Sequence, residues 1–289
     1  MLGRQQDEHV RLDHAVIGGN DLSEIDDAFD SLGMEPTYAG KLENDINHLS
    51  QLGFEDGSYF ELTATLEPGQ ESPWWDVHMQ KDAGPTAWAV EVTNIASVVD
   101  EIAERGTPVD GPNEFGRERP DGTYFEYELA TLGTKEFGTQ LPFLIEDHTP
   151  RSNRVSTPTP SVADTELVGV GAVVVGLGDL DDGIEVYRQA FDLPEPSRQT
   201  DEEFGAELAH FPDTPIVLAT PLAAGNWLAD RLETFDDGPC AYLLRSSDWD
   251  RTTERFSLTG ESSWFDDRLA WIDSERLDEI NVNLGVLSP

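Results

Sequence analysis

Histidines and basic residues that could carry chemistry are few in this sequence, which contains 58 Asp and Glu, 18 Lys and Arg and six His. His48 alternates with Ile46 and Ser50 in a segment patterned like a strand. If that face lines a cleft, the imidazole would act as a general acid, base or hydrogen-bond donor, so His48 is the candidate catalytic residue. The alternative is a strand histidine whose hydrogen bonds are satisfied locally.

Two arginines and three tryptophans are candidates for binding a substrate. Arg117 and Arg119 are conspicuous where cations are scarce, and either would clamp a carboxylate or phosphate through paired hydrogen bonds. The alternative for both is a salt bridge to a neighbouring acid. Trp74, Trp75 and Trp88 would wall an apolar pocket or, as most large aromatics beside a sheet do, belong to the core.

The net charge of −40 limits the environment and the partners that we expect for this protein. The acids are dispersed among apolar residues along the whole chain, which indicates a folded protein rather than a disordered acidic tail. Such a surface repels itself unless salt screens it, so we interpret the chain as a protein of a halophilic organism. Nucleic acid and anionic membranes are poor partners, because clustered Lys and Arg bind both. We expect a small-molecule partner and a monomer or homodimer.

The N-terminal segment and the single cysteine indicate the compartment. The first residues are charged and lack the apolar core of a signal peptide, and no run approaches the roughly 18 apolar residues of a membrane span. Cys240 cannot form an internal disulfide, and within its apolar run it is expected to be a small buried hydrophobe. We therefore expect a cytoplasmic protein.

A duplication divides the chain into two domains. GPTAWAVEVTNI at 84–95 matches GPCAYLLRSSDW at 238–249, and the segments at 14–33 and 172–194 match at nearly the same offset. Between the halves, residues 148–165 are rich in Pro, Ser and Thr and lack hydrophobic periodicity, which is typical of a linker. We predict domains at 1–147 and 166–289.

The first domain is predicted to contain two modules, each with the order strand, helix, strand, strand, strand. In the first module, Asp21 is a plausible helix N-cap, and Gly33 ends the helix. Hydrophobic patterning then predicts strands at 12–18, 37–40, 46–54 and 59–66 in the first module, and at 87–92, 113–119, 123–130 and 141–145 in the second, with helices at 21–33 and 95–105.

The paired modules resemble the glyoxalase-like group of the vicinal oxygen chelate superfamily. The matching segments are LDHAVI, YFELTA, GPTAWAVEV, the GRERPDGTYFEYELA hairpin and LPFLIE, which together cover most of residues 10–147. The resemblance implies an α+β fold, in which paired βαβββ modules form curved mixed sheets around a cleft, in two tandem glyoxalase-like domains. For residues 166–289 it depends mainly on the internal repeat.

The resemblance also implies a divalent metal at the floor of the cleft. By position, its ligands would be His14, Glu61 and Glu146, while Ala87 occupies the place where members with a complete set carry a fourth ligand, histidine. One imidazole and two carboxylates suit iron and also accept manganese, nickel or zinc. Such a site leaves positions open for a substrate with adjacent oxygens.

Different classes of function remain open on the sequence. A metal held by His14, Glu61 and Glu146 implies an enzyme of lyase, isomerase or dioxygenase type that acts on a small oxygenated molecule. Without a metal, the chain would resemble the drug-sequestering binding proteins of the superfamily, or be an interaction module with no small-molecule site. Ala172 and Val217 occupy the positions of His14 and Glu61 in the second domain, so we predict no metal there and a structural or pocket-covering role.

Overall fold

A computed structural model describes residues 10–288, which form two curved sheets of eight strands. The first sheet contains β1 (Arg11–Gly18), β2 (Thr37–Lys41), β3 (Asn47–Gly53), β4 (Tyr59–Thr65), β5 (Gly84–Glu91), β6 (Val109–Glu118), β7 (Tyr124–Leu132) and β8 (Phe143–Asp147). The helices of this half are α1 (Leu22–Ser31), α2 (Asp76–Gln80), α3 (Ile95–Glu104) and α4 (Arg151–Arg154).

The second sheet repeats the first. It contains β9 (Leu167–Gly176), β10 (Ser197–Asp201), β11 (Ala206–His210), β12 (Ile216–Pro221), β13 (Gly238–Ser246), β14 (Leu258–Trp264), β15 (Asp267–Ile272) and β16 (Leu284–Leu287). Its helices are α5 (Leu180–Phe191), α6 (Trp227–Phe235), α7 (Trp249–Arg255) and α8 (Glu275–Glu279).

Strand order confirms the predicted fold class. The first sheet runs β2-β3-β4-β1-β5-β8-β7-β6 and the second runs β10-β11-β12-β9-β13-β16-β15-β14, which is the same topology. In the first, β1 pairs parallel to β4 and antiparallel to β5, so the two modules join at the centre of the sheet. The first sheet is a half-barrel and the second a nearly closed barrel. No helix within residues 10–288 is long and apolar enough to span a membrane.

Local chemistry explains the first helix and its sheet. The Asp21 carboxylate accepts a hydrogen bond from the Ser23 backbone N–H at 2.9 Å, as expected of an N-cap. Ile25 and Phe29 of α1 are buried against the convex face of the sheet. Because side chains alternate along a strand, every second residue instead faces the concave side, where a cleft forms.

Residues 148–165, predicted as a linker, pack along the first domain instead. Arg154, Val155 and Val162 are all at most 3% exposed. The Thr159 hydroxyl accepts a hydrogen bond from the backbone N–H of Gly53 at 2.8 Å, which ties the segment to the end of β3. The segment is anchored by separate buried side chains, which leave no periodic apolar pattern in the sequence.

Candidate functional site

A cavity of about 170 Å³ lies in the concave face of the first sheet. Its walls are mainly aromatic and aliphatic, and a small number of charged side chains converge on them, as in most small-molecule sites. The apolar lining includes Leu42, Trp74, Trp75, Phe115, Phe125, Leu129, Phe137, Phe143 and Ile145. The ionisable lining comprises His14, Glu43, Tyr59, Glu61, Arg117, Tyr127 and Arg154.

Two buried carboxylates mark this cavity. Among the acids at residues 10–288, Asp13 and Glu61 are the only ones that are buried, at 0% and 8% exposure. Glu61 lines the cavity, and Asp13 contacts His14, which also lines it. Among the described residues, burial of a carboxylate is therefore confined to one place, and burying a charge is costly unless it is paired or used.

His14 is held in one orientation by its neighbours. A β-bulge between Leu12 and His14 places Asp13 beside the imidazole, with Asp13 Oδ1 2.6 Å from His14 Nδ1. The ring stacks on Tyr59 at 4.7 Å and meets the edge of Phe143 at 5.2 Å. An ionised carboxylate only accepts hydrogen bonds, so Nδ1 is the donor and Nε2 is left free for a ligand.

Arg154, from the supposed linker, keeps Asp13 ionised. Its guanidinium donates to both oxygens of Asp13 at 2.9 and 2.8 Å, to both oxygens of Asp147 at 2.7 and 2.8 Å, and to the Tyr59 hydroxyl at 2.7 Å. Burial alone would raise the pKa of Asp13, but the charge of Arg154 and hydrogen bonds from His14 and Arg154 hold that pKa well below its usual value. Arg151 adds a second ion pair to the same carboxylate.

All five N–H donors of Arg154 are engaged in those bonds. Arg154 therefore supports the floor of the cavity and has no donor left for a ligand. Sequence reasoning missed Asp13, Arg151 and Arg154. The one available signal was the presence of two arginines in a segment of a chain that has few cations.

Among the ionisable residues that line the cavity, Glu61 is the one whose side chain has no hydrogen-bond partner within the described residues. No hydrogen bond reaches its carboxyl from any of the residues that the structure describes. Burial raises the pKa of Glu61, Glu43 raises it further, and the charges of His14 and Arg117 oppose the rise. Gln51 lies opposite Glu61 in the β3–β4 pairing, and its buried Nε2 also has no hydrogen-bond partner within the described residues.

Arg117 lies in the cavity wall, whereas Arg119 does not. Arg117 Nη1 donates to the carbonyls of Ala39 at 2.9 Å and Lys41 at 3.2 Å, so part of the guanidinium is used within the protein. Its Nε lies 3.7 Å from Glu43. The charge of Arg117 is therefore partly compensated before any ligand binds.

Three of the predicted site residues face away from the cavity. The Glu146 carboxylate accepts hydrogen bonds from the backbone N–H groups of Asn94 at 3.0 Å and Ile95 at 2.7 Å, so it caps α3. His48 belongs to the convex face, and burial lowers its pKa. Trp88 is fully buried in the core beneath the helices, while Trp75 lines the cavity as predicted.

Strand alternation explains these placements. On β8, Phe143 and Ile145 line the cavity, so Glu146, which follows Ile145, points to the other face. The structure thus brings His14 and Glu61 to one cavity but not the third predicted ligand. Within residues 10–288 no group of three or more His, Cys, Asp and Glu side chains is placed to hold a metal ion.

The position of the absent fourth ligand is closed by a loop. Ala87 faces the cavity side, and a Cβ built on Gly138 would lie 2.8 Å from the Ala87 side chain and 2.7 Å from the ring of Phe143. The Gly138 carbonyl also accepts the backbone N–H of Trp88 at 3.0 Å. A loop thus occupies the space that an imidazole at 87 would need, and the residues present do not fit the metal site that the resemblance implies.

The concave face of the second sheet is partly filled by apolar side chains. Ala172 and Val217, which correspond to His14 and Glu61, belong to an apolar cluster. In that cluster Phe204 stacks on Trp271 at 5.2 Å and meets the edge of Trp264 at 5.0 Å. Aromatic rings therefore fill part of this face, and a cavity of about 550 Å³ remains beside them, lined by Ala172 and Val217 where the first cavity has His14 and Glu61.

The raised pKa of Glu61 predicts a pH-dependent effect on stability. A raised folded-state pKa stabilises the protein below the ordinary value of 4.5, and this contribution is lost as pH rises through the folded pKa. Glu61→Gln should therefore unfold at higher urea than wild type at pH 8, with the difference vanishing near pH 4. Glu118→Gln, at an exposed strand position, is the matched control for the removal of one carboxylate. A Glu61→Gln variant that is less stable at pH 8 would contradict the assignment.

Comparisons with solved structures support the two-domain fold. A hypothetical protein from Staphylococcus aureus matches with TM-score 0.64 and 11% identity, covering 97% of this chain and 100% of that one. A mutant of 4-hydroxymandelate synthase from Streptomyces coelicolor matches with TM-score 0.61 and 12% identity, covering 97% and 92%. Methylmalonyl-CoA epimerase from Mycobacterium tuberculosis, at 20% identity and TM-score 0.38, covers 44% of this chain and 91% of its own.

A search of curated proteins gives no significant match. The family model described as a glyoxalase-like domain matches residues 12–174, more than half of the chain. The match includes residues 148–165, in agreement with their packing on the first domain. With the paired-module topology and the cavity in the first sheet, this match shows that the chain belongs to the glyoxalase-like domain family.

Proposed function

We propose that the first cavity binds a small organic molecule that has a flat apolar body and a hydrogen-bond donor, and that it does so without a metal ion. The observation that carries this proposal is Glu61, a buried carboxyl without a protein partner in a cavity lined mainly by aromatic rings. A ligand N–H or O–H would give this acceptor the hydrogen bond that the protein does not supply.

The aromatic walls of the cavity determine the shape and polarity of the rest of the ligand. Trp74, Trp75 and Phe137 contact one another, with ring centroids 4.6 to 6.4 Å apart, and form one continuous aromatic surface. Such surfaces bind flat apolar groups by burial and stacking. A volume of about 170 Å³ has room for a small molecule rather than a polymer.

The metal-dependent enzyme that the sequence favoured is supported less well. Only His14 and Glu61 of the expected ligand set reach the cavity, and Ile145 and Ala87 line the positions where further ligands would be needed. Two ligands are fewer than the three protein ligands usual at catalytic metal sites. The metal-free alternative is therefore the better proposal.

A second candidate function, proton transfer, is favoured by the Asp13–His14 pair. An ionised aspartate that accepts from Nδ1 leaves the other nitrogen of a neutral imidazole as a base. Glu61, whose pKa burial raises, is an acid or base in the same cavity. Incorporation of solvent deuterium into a panel of ketones with acidic C–H bonds, followed by NMR, tests this activity. Loss of exchange in both His14→Gln and Glu61→Gln would support it.

Binding of a fluorescent probe tests the main proposal. N-phenyl-1-naphthylamine is a flat apolar molecule with one N–H donor, so the wild type should bind it with enhanced emission. Glu61→Leu should weaken binding at least tenfold, since a hydrogen bond to a charged group is worth about 1.5–3 kcal/mol and about 1.4 kcal/mol is tenfold in affinity. Glu118→Leu, at an exposed position, is the matched control.

The same titration separates the metal-free proposal from the metal-dependent one. Binding should be unchanged after EDTA treatment, and incubation with iron, manganese, nickel or zinc followed by dialysis should leave no stoichiometric metal. Probe binding that needs one of these metals, or an equal affinity in wild type and Glu61→Leu, would contradict the proposal.

A further inference from the structure

Two loops of the first domain carry the aromatic wall of the cavity. Trp74 and Trp75 lie in residues 66–83, and Phe137 lies in residues 133–142. The loops bind each other, since Trp75 Nε1 donates to the Phe137 carbonyl at 2.9 Å and the Trp75 backbone N–H donates to the Glu136 carboxylate. Neither loop belongs to the sheet, so the shape of the wall depends on what packs behind it.

Arg231 of the second domain holds the first loop where it joins β5. Its Nη1 donates to the Ala83 carbonyl at 2.6 Å, and its Nη2 donates to the Pro85 carbonyl and, at 2.8 Å, to the Pro239 carbonyl. No acid within residues 10–288 forms an ion pair with it, although acids are abundant. An arginine whose hydrogen bonds all go to backbone carbonyls fixes the position of the chain that supplies them.

Neighbouring contacts fix the same turn. Gly84 has φ of +66°, and a Cβ there would lie 2.4 Å from the Asn281 carbonyl, so the two domains meet at backbone distance. Asn281 Nδ2 donates to the Asp82 carbonyl at 2.8 Å. One helix turn away, the His78 ring of α2 packs on Phe235 of α6 at 5.2 Å.

The second loop is held by the turn that follows α6. Gln140 Nε2 donates to the Asp237 carboxylate at 3.1 Å, and the Tyr187 hydroxyl donates to the Gln140 carbonyl at 2.5 Å. Thr139 lies 3.6 Å from the place where a Cβ on Gly238 would be. Residues 231–238 therefore contact both loops of the aromatic wall.

We infer that the second domain positions the aromatic wall, so that the specificity of the first cavity depends on Arg231, Asp237 and Asn281. These are positioning residues, because none of them lines the cavity. The inference gives a role to a duplicated domain that has Ala172 and Val217 in place of His14 and Glu61. It rests on the proposed function only for the nature of the ligand.

Hydrogen exchange read by mass spectrometry tests the positioning role without a ligand. In Arg231→Met, amides in peptides that cover residues 66–85 should exchange at least tenfold faster than in wild type, and Arg231→Lys should restore part of the protection. In Asp237→Asn, the faster amide exchange should instead appear in peptides that cover residues 133–142. Arg276→Met, which removes an exposed ion pair of α8, is the matched control and should change neither region.

Asn281→Ala is a milder variant that keeps the test informative if Arg231→Met does not fold. It removes one hydrogen bond to the loop and should increase exchange in residues 66–85 alone. Unchanged exchange there in every folded variant would overturn the inference, whatever happens to the melting temperature.

Titration with the fluorescent probe tests whether the positioning residues affect ligand binding. N-phenyl-1-naphthylamine should bind Arg231→Met at least fivefold more weakly than wild type, with Arg276→Met unchanged. Equal affinity in Arg231→Met and wild type would overturn the effect on specificity. If the wild type binds no probe while exchange still rises in Arg231→Met, the proposed function fails and the positioning role is retained.

Discussion

Arg154→Met should destabilise the protein by about 3–5 kcal/mol, because it removes the main partner of a buried charge and leaves Asp13 with only Arg151 and His14. The Asp13 carboxylate is fully buried, and the ion pair to Arg154 Nη2 measures 2.8 Å. Asp147 loses its closer partner in the same substitution and keeps only Arg151, at 3.7 Å. Urea denaturation at neutral pH and constant molar salt would measure the change, with Arg276→Met as the control for loss of an exposed arginine.

The same network predicts how stability depends on acid. The pKa of Asp13 is lowered in the folded state, so its contribution is fully present above the ordinary value of 3.8 and is lost as pH falls through the folded pKa. Asp13→Asn should therefore be much less stable than wild type at pH 7, with a gap that narrows below pH 3.8. An Arg154→Met variant within about 1 kcal/mol of wild type would show that the network contributes no more than an exposed pair.

The sequence was sufficient for the fold because the fold depends on repeated patterns. Strand alternation, the Asp21 cap and the duplicated Gly-Pro segments each have a local physical cause, and the structure contains them within a few residues of their predicted bounds. The identical strand order of the two sheets follows from that duplication.

The site was harder to predict, because it depends on which face of a strand each residue occupies. One residue along β8 separates Ile145, which lines the cavity, from Glu146, which caps α3. On β5, likewise, Ala87 faces the cavity side while Trp88 belongs to the core. A family motif locates the strand. It does not determine which face of the sheet each residue occupies where a bulge or an altered loop is present.

Arg154 shows a second limit. Its segment contains Pro, Ser and Thr without periodicity, and nothing local indicates that its side chain reaches Asp13 on the first strand, 141 residues earlier. Long-range ion pairs of this kind depend on the folded geometry. The scarcity of Lys and Arg was the only sequence feature that indicated a structural role for these arginines.

A shift from molar salt into dilute buffer should lower the melting temperature by roughly 10 °C, which corresponds to several kcal/mol for a protein of this size. The net charge is −40, and Asp13 and Glu61 are the only buried carboxylates among residues 10–288. The remaining acids therefore repel one another at or near the surface. Screening reduces this repulsion, because the Debye length falls from about 8 Å at physiological ionic strength to about 3 Å at 1 M.

The form of the salt dependence identifies its cause. If screening is responsible, most of the rise in melting temperature should occur below about 1 M potassium chloride, where the Debye length changes most. Exclusion of a salt from the protein surface would instead give a rise that continues with concentration and is larger for sulfate than for chloride. Calorimetry in both salts between 0.05 and 3 M distinguishes these cases. A melting temperature that is unchanged or higher in dilute buffer would refute the interpretation of this surface as adapted to salt.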